Sequence, residues 1–320
     1  MISNALFLDL HPGTETIQEM VTEGLSKVQK TLPPKLFYDE RGSELFDQIC
    51  ELEEYYPTRT ELAILRDNMP AILGALGQSV VLVEYGSGSS TKTQLLLENL
   101  KGLIAYVPID ISREHLAQSA LQIERTFPNL NVLPVCADYS QNINLSEAIA
   151  PDSHAVAYFP GSSIGNFERE HAVSFLQRVH DTVGQGGGLL IGVDLVKDEA
   201  ILERAYNDTS GTTARFNLNM LSHINHRLGS QIDILGFKHR AIYNMDMARI
   251  EMYLVANKRH SITIGDHTFR IQEGESILTE YSHKYTLPDF KELAKEARFA
   301  VEKVWVDSES LFSIQYLSAF

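Results

Sequence analysis

Cysteine, basic charge and long apolar runs are all scarce in this 320-residue chain, and each scarcity removes a class of protein. Two cysteines, Cys50 and Cys136, are too few for a disulfide framework. One falls in a helical pattern and the other in a strand pattern, as two buried thiols would. No stretch reaches the roughly 20 uninterrupted apolar residues that a membrane helix requires. The opening Met1-Ile2-Ser3-Asn4 has neither the basic start nor the apolar core of a secretory signal, so the chain reads as cytoplasmic. The 27 Lys and Arg residues are outnumbered by 42 Asp and Glu, a formal charge of −15. Binding nucleic-acid phosphates calls for basic stripes, and basic residues scattered among more numerous acids argue instead for a small-molecule substrate. There is no internal repeat, low-complexity run or heptad seam, so a monomer is expected.

What is present is a change of rhythm along the chain. Residues 13–31 carry Ile17, Met20, Val21, Leu25 and Val28 at helical spacing, and a second helical pattern covers about 59–75 after Pro57. From residue 79, short apolar runs (Val80–Glu84, Ile104–Asp110, Asn131–Cys136, Ala155–Phe159, Gly188–Asp194) alternate with amphipathic helices near 90–100, 112–127, 142–149 and 168–183. Strands apolar throughout and separated by helices predict a parallel sheet covered on both faces, a doubly wound α/β unit. The alternation then stops. A helical region over about 199–227 is followed by strand-like pieces at 231–244, 248–257 and 261–272. A last helix near 288–297 leads to Val301–Val306 and Phe312–Ser318, joined by a connection short enough to require an antiparallel pair. One domain is therefore expected from 61–196 with 286–320, and a smaller α+β lobe from 1–60 with 197–285.

The segment Val81-Leu82-Val83-Glu84-Tyr85-Gly86-Ser87-Gly88 runs from a buried strand into a loop, and Ser89-Ser90-Thr91 opens the next helix. Glycines let backbone approach a ligand closely, and the helix N-terminus offers free N–H groups, although a Gly-x-Gly loop alone also serves as a plain tight turn. The next strand ends in Ile109-Asp110, where an acid reaches a ribose hydroxyl in nucleotide-binding folds. The strand after it ends in Ala137-Asp138-Tyr139, an acid for an adenine amine beside a ring to stack on it. Thr91 stands where the dinucleotide fingerprint has its third glycine, so an adenosyl ligand without a diphosphate fits. With the closing antiparallel pair, the expected fold is that of class I methyltransferases, a Rossmann-like seven-stranded sheet. Lys92 at the helix start is a further candidate cofactor contact, or a solvated lysine.

The stretches Leu36-Phe37-Tyr38-Asp39-Glu40-Arg41-Gly42-Ser43-Glu44-Leu45-Phe46-Asp47 and Glu54-Tyr55-Tyr56-Pro57-Thr58-Arg59-Thr60-Glu61 resemble the N-terminal signatures of the histidine-specific methyltransferases. Gly161-Ser162-Ser163-Ile164-Gly165-Asn166-Phe167, Asp194-Leu195-Val196-Lys197-Asp198, Ile250-Glu251-Met252 and Thr279-Glu280-Tyr281-Ser282 continue the resemblance in register. The best-known member of that family makes Nα-trimethylhistidine (hercynine), the first step of ergothioneine biosynthesis. The resemblance implies S-adenosylmethionine as cofactor, S-adenosylhomocysteine as its product, no metal, and L-histidine as substrate. It implies a cofactor set of Gly86, Ser87, Gly88, Lys92, Asp110, Asp138, Tyr139 and Gly161. Asn166 and Tyr206 would hold the amino acid's backbone groups, and Tyr55 would lie near the imidazole. Tyr38 would lie near the amine as the proton relay. Glu280 and Ser282, with Tyr281 between them, would clamp the imidazole, with Met252 packed on the ring; alternation puts 280 and 282 on one side of an extended segment. A relative acting on tryptophan or another amino-acid derivative, a nicotinamide-dependent oxidoreductase and a non-catalytic adenosyl sensor are the rival readings.

Overall fold

The structure, a computed structural model, describes residues 7–10, 16–87, 91–139, 141, 143, 145, 149 and 153–320. Gly88, the opening Met1-Ile2-Ser3-Asn4 and most of the expected helix near 142–149 lie outside the described residues. The chain divides into two compact units, one from the described residues of 1–13, 60–195 and 285–320, the other from those of 14–59 and 196–284.

The first unit is built on one sheet. Its strands are β1 (Leu8–Asp9), β2 (Val80–Tyr85), β3 (Leu103–Asp110), β4 (Asn131–Val132), β5 (Val135–Cys136) and β6 (His154–Phe159). They are completed by β7 (Gly188–Asp194), β8 (Phe299–Val306) and β9 (Phe312–Ala319). Their order is β1-β5-β3-β2-β6-β7-β9-β8, with β4 beside β3. Every pairing up to β7 is parallel, whereas β9 runs antiparallel to both β7 and β8. This is the class I methyltransferase arrangement. The expected strand Asn131–Cys136 is two pieces, split at Leu133-Pro134 because proline has no N–H for the ladder.

Alternation along β2 explains the two covered faces. Val81, Val83 and Tyr85 join Phe175 and Leu176 of the helix Arg169–Val183 and Phe290 and Leu293 of the helix Leu287–Glu296. Val80 and Leu82 meet Ile64 and Leu65 of the helix Tyr56–Leu76, and Leu96 and Leu97 of the helix Thr91–Asn99. Every residue of β2 is buried. Each such valine or leucine contributes about 1.5–3 kcal/mol, which is why a two-sided strand reads as one apolar run. The helix Tyr56–Leu76 starts ahead of Pro57, since a proline in the first turn lacks only an N–H that had no helical partner.

The second unit holds a four-stranded sheet in the order Lys30–Thr31, Ser276–His283, Arg249–Ala256, Phe237–Asn244. A separate hairpin, His260–Ile264 with His267–Ile271, turns at Gly265, whose φ is +55°. Its helices are Ile17–Ser26, Glu40–Glu51, Glu199–Tyr206 and Thr212–Leu228. The first stops at Ser26 and not near 31, because Lys30–Thr31 pair with Ile277–Leu278 and leave Val28 fully exposed. The helix expected over 199–227 is two helices. Asp208 accepts the backbone N–H groups of Thr212 and Thr213 at 2.8 and 2.7 Å, and Gly211 turns the chain at φ +67°. Neither cysteine forms a disulfide among the described residues; Cys136 is buried, Cys50 only half-buried.

Candidate active site

In the first unit, four strand ends share one edge of the sheet. Beyond β2, Gly86 adopts φ +73°, and the N–H groups of Gly86 and Ser87 both donate to the Ile109 carbonyl, at 2.9 and 3.2 Å. β3 ends at Asp110, whose Oδ1 accepts the Ser112 N–H at 2.9 Å. Just past β5 come Asp138 and Tyr139. The Tyr139 ring stands edge-on to Tyr85, Phe159 and Phe175, with centroids 6.2, 6.1 and 5.9 Å away. A Cβ on Gly86 would lie 3.9 Å from that ring, so the loop and the aromatic face each other directly. Beyond β6, Gly161 (φ +77°) and Ser162 (φ +59°) are consecutive left-handed residues. The serine's strain is held by the Asp194 N–H, which donates to Ser162 Oγ at 2.9 Å. A turn at Ser163–Asn166 follows, with Asn166 partly exposed at its end. The chain runs outward from β2 to β3 and β5, then restarts on the other flank of β2 with β6. Such a switch point is where doubly wound sheets bind ligands.

These groups suit an adenosyl ligand. Ser87 Oγ is buried without a partner among the described residues, two carboxylates can accept ribose hydroxyl and adenine amine protons, and Tyr139 can flank the base. Lys92 donates to Glu61 Oε2 at 2.6 Å. Glu61, 1% exposed, also accepts the Gly161 N–H at 3.0 and 3.1 Å, and Gly161 stands so close that a Cβ there would be 3.6 Å from Lys92 Nζ. Lys92 and Gly161 are thus brought together through a buried carboxylate.

In the second unit, strand register assembles the other predicted residues. Met252 stands directly opposite Glu280 and Ile250 opposite Ser282, so these four side chains share one face. Tyr281 pairs with Glu251 on the opposite face, where the Arg249 guanidinium lies 3.6 Å from its ring centroid. The structure therefore does not bring Tyr281 into the Glu280–Ser282 pair. Tyr206, at the end of its helix, donates from its hydroxyl to Ser282 Oγ at 2.8 Å. A row of rings leads away from it: Tyr206 to Tyr55 at 6.2 Å, Tyr55 to Phe46 at 6.4 Å, Phe46 to Tyr38 at 5.9 Å. Solvent reaches part of Glu280, yet protein atoms surround its carboxyl. Burial pushes its pKa up to about 7, with Lys284 pulling the other way. Burial also drives the Tyr55 phenol well above 10, aided by the nearby Tyr206, Cys50 and Glu280, so it stays protonated.

The model of the family described as histidine-specific methyltransferase, SAM-dependent, matches residues 17–319. The chain belongs to that family. The histidine N-alpha-methyltransferase of Mycolicibacterium smegmatis is 36% identical over 318 residues, covering 98% of each chain. That of Mycobacterium tuberculosis is 40% identical over 289 residues, 89% of each chain. The ergothioneine biosynthesis protein 1 of Neurospora crassa is 31% identical over 291 residues, 86% of this chain but 32% of its own length. S-Adenosylmethionine is accordingly the cofactor of this methyltransferase.

Three residues of the methyltransferase are not singled out by its sequence pattern. Phe46 bridges Tyr38 and Tyr55, but sits on a helix where an aromatic reads as core. Glu61 closes the tyrosine-proline motif with nothing local to mark its carboxylate as buried. Lys284, 3% exposed, donates to Ser282 Oγ at 2.6 Å and to the Tyr206 hydroxyl at 3.3 Å. A lone lysine two residues past a serine reads as solvated, and only the fold shows otherwise.

Proposed function

We propose that the chain transfers methyl groups from S-adenosylmethionine to the α-amine of free L-histidine, three times in succession, yielding hercynine and S-adenosylhomocysteine as in the first step of ergothioneine biosynthesis. The observation that carries this reading is the side-by-side presentation of Glu280 and Ser282 on one strand face, with Met252 across from Glu280. An ionised carboxylate accepts an imidazole N–H, a hydroxyl serves the other nitrogen, and a thioether packs on the ring. The activities named for the two mycobacterial relatives support it. We assign cofactor binding to 61–196 with 286–320, and substrate binding to 1–60 with 197–285.

S-Adenosylmethionine, when bound, supplies an electrophilic sulfonium methyl. Gly86, Ser87 and Gly161 bring backbone close to the cofactor, Asp110 and Asp138 take its hydroxyl and amine protons, Tyr139 flanks the adenine, and Lys92 braces the edge through Glu61. Asn166 and Tyr206 hold the amino acid's backbone groups. Since positioning supplies most of the rate in a direct displacement, no protein nucleophile is required. Tyr38 is the relay for the proton that the amine must lose, and Tyr55, protonated throughout, orients without taking it. The growing quaternary ammonium is tolerated by tyrosine faces, each worth about 0.5–2 kcal/mol to a cation. The same reading has a cytoplasmic monomer acting on a small molecule, without nucleic acid, membrane or metal.

Incubation with S-adenosylmethionine and each free amino acid, followed by mass spectrometry, tests the reading. Histidine should gain mass in three one-methyl steps and tryptophan should gain none. Histidine left unmethylated would overturn it.

A further inference from the structure

Lys284 is a buried cation that the displacement itself does not use. Its backbone N–H donates to the Ala248 carbonyl at 2.7 Å, fixing it just past the strand Ser276–His283. Its ammonium donates to Ser282 Oγ at 2.6 Å and to the Tyr206 hydroxyl at 3.3 Å, and lies 5.1 Å from the Tyr206 ring centroid. Tyr206 in turn donates to Ser282 Oγ at 2.8 Å. A serine hydroxyl has two lone pairs and one hydrogen. Ser282 receives two donors, so both lone pairs are engaged and only its hydrogen remains to be offered.

We propose that Lys284 is a positioning residue for substrate selection, which commits Ser282 to act as a hydrogen-bond donor toward the substrate's ring. Glu280, two residues earlier on the same face, is the complementary acceptor. One donor beside one acceptor matches a neutral imidazole, which has one N–H and one bare nitrogen. An imidazolium would bring a second N–H against the hydroxyl hydrogen. An indole has no ring acceptor and would leave that hydrogen unpaired, and a phenyl ring would leave both groups unpaired, a costly outcome at a buried site. Packing alone does not call for this cation, since an apolar chain of similar length fills such a space without the cost of desolvating a charge. This inference rests on histidine being the substrate and says how the pocket recognises it.

A double-mutant cycle between Lys284→Met and Ser282→Ala tests it, with kcat and KM for L-histidine and the affinity for S-adenosylhomocysteine measured on each protein. Lys284→Met should raise the histidine KM about tenfold, with kcat within about threefold and S-adenosylhomocysteine affinity unchanged. Adding it to Ser282→Ala should raise KM no further, because the hydroxyl it acts on is gone. Additive effects, an unchanged KM, or equal losses in kcat and kcat/KM would each overturn the proposal. If the methionine variant fails to fold, Lys284→Gln, which keeps a donor without the charge, enters the same cycle. It should raise KM less than tenfold, again with no added effect on Ser282→Ala; additivity there also overturns the proposal. Absence of histidine methylation by the unaltered chain would instead remove the functional reading beneath it.

Discussion

Glu280 illustrates how stability and recognition pull one side chain in opposite directions. Burial raises its pKa from 4.5 to about 7, against the opposing pull of Lys284. A carboxyl whose folded pKa lies above its unfolded value keeps its proton longer in the folded chain. Its contribution to stability is therefore fully present below about pH 4.5 and is lost as pH rises through about 7. Glu280→Gln should then unfold at a higher temperature than the unaltered chain at pH 8, with the gap closing at pH 5. Equal melting temperatures at pH 8 would show that the carboxyl is not desolvated. The same variant should bind histidine worse, since a charged acceptor contributes about 1.5–3 kcal/mol more than nothing and a neutral amide recovers part of it. A rise of roughly 10- to 100-fold in the histidine KM is expected. The Glu280–Ser282 geometry was legible in the sequence because alternation is a local rule. Lys284 was not, because only its neighbours Tyr206 and Ser282, the former brought in from another element, show that its ammonium is buried.

Elements were read best where a single periodicity ran unbroken. Gly188–Asp194 has the bounds its apolar run predicts, and β2 extends by one residue to Tyr85. The misreadings occur where side chains rather than periodicity set the boundary. The helical pattern over 199–227 passes through Asn207-Asp208-Thr209-Ser210-Gly211; the first helix ends at Tyr206, and the Asp208 carboxylate accepts the first two N–H groups of the next. Burial alone would raise the Asp208 pKa, but the Ser210 hydroxyl and the backbone N–H groups of Thr213 and Thr212 outweigh it and hold the carboxyl at about 2. It is a charged cap, and removing a cap costs about 0.5–2 kcal/mol. Asp208→Ala should lower the unfolding temperature. It should also raise the histidine KM, because the loosened turn directly follows Tyr206, the last residue of the preceding helix. A lower melting temperature with an unchanged KM would confine Asp208 to stability. Similarly, Lys30–Thr31 leave the first helix for the sheet edge, a long-range pairing that no local spacing announces.

At the scale of the whole molecule, the chain passes from one compact unit to the other after Leu195 and back at Tyr285. A sheet whose last two strands arrive only at the C-terminus is a topological fact, yet its parts are each short and local, which is why order was easier to read than contacts. Net charge is the other property that belongs to the whole chain. With 42 acids against 27 bases, the molecule attracts cations from beyond contact distance. S-Adenosylmethionine carries one net positive charge, because its sulfonium and ammonium exceed its carboxylate, whereas S-adenosylhomocysteine lacks the sulfonium charge. Screening shortens the reach of the field from about 30 Å at 0.01 M salt to about 8 Å at 0.15 M. Across that range the association rate of S-adenosylmethionine, followed by stopped flow, should fall roughly two- to fivefold, while that of S-adenosylhomocysteine stays nearly constant. Dissociation rates of both should hardly change, because the contacts proposed for Asp110, Asp138 and the Gly86 loop act at short range. Equal salt responses for the two ligands would mean that the charge of the chain does not steer its cofactor, and that selection between substrate and product forms arises only after contact.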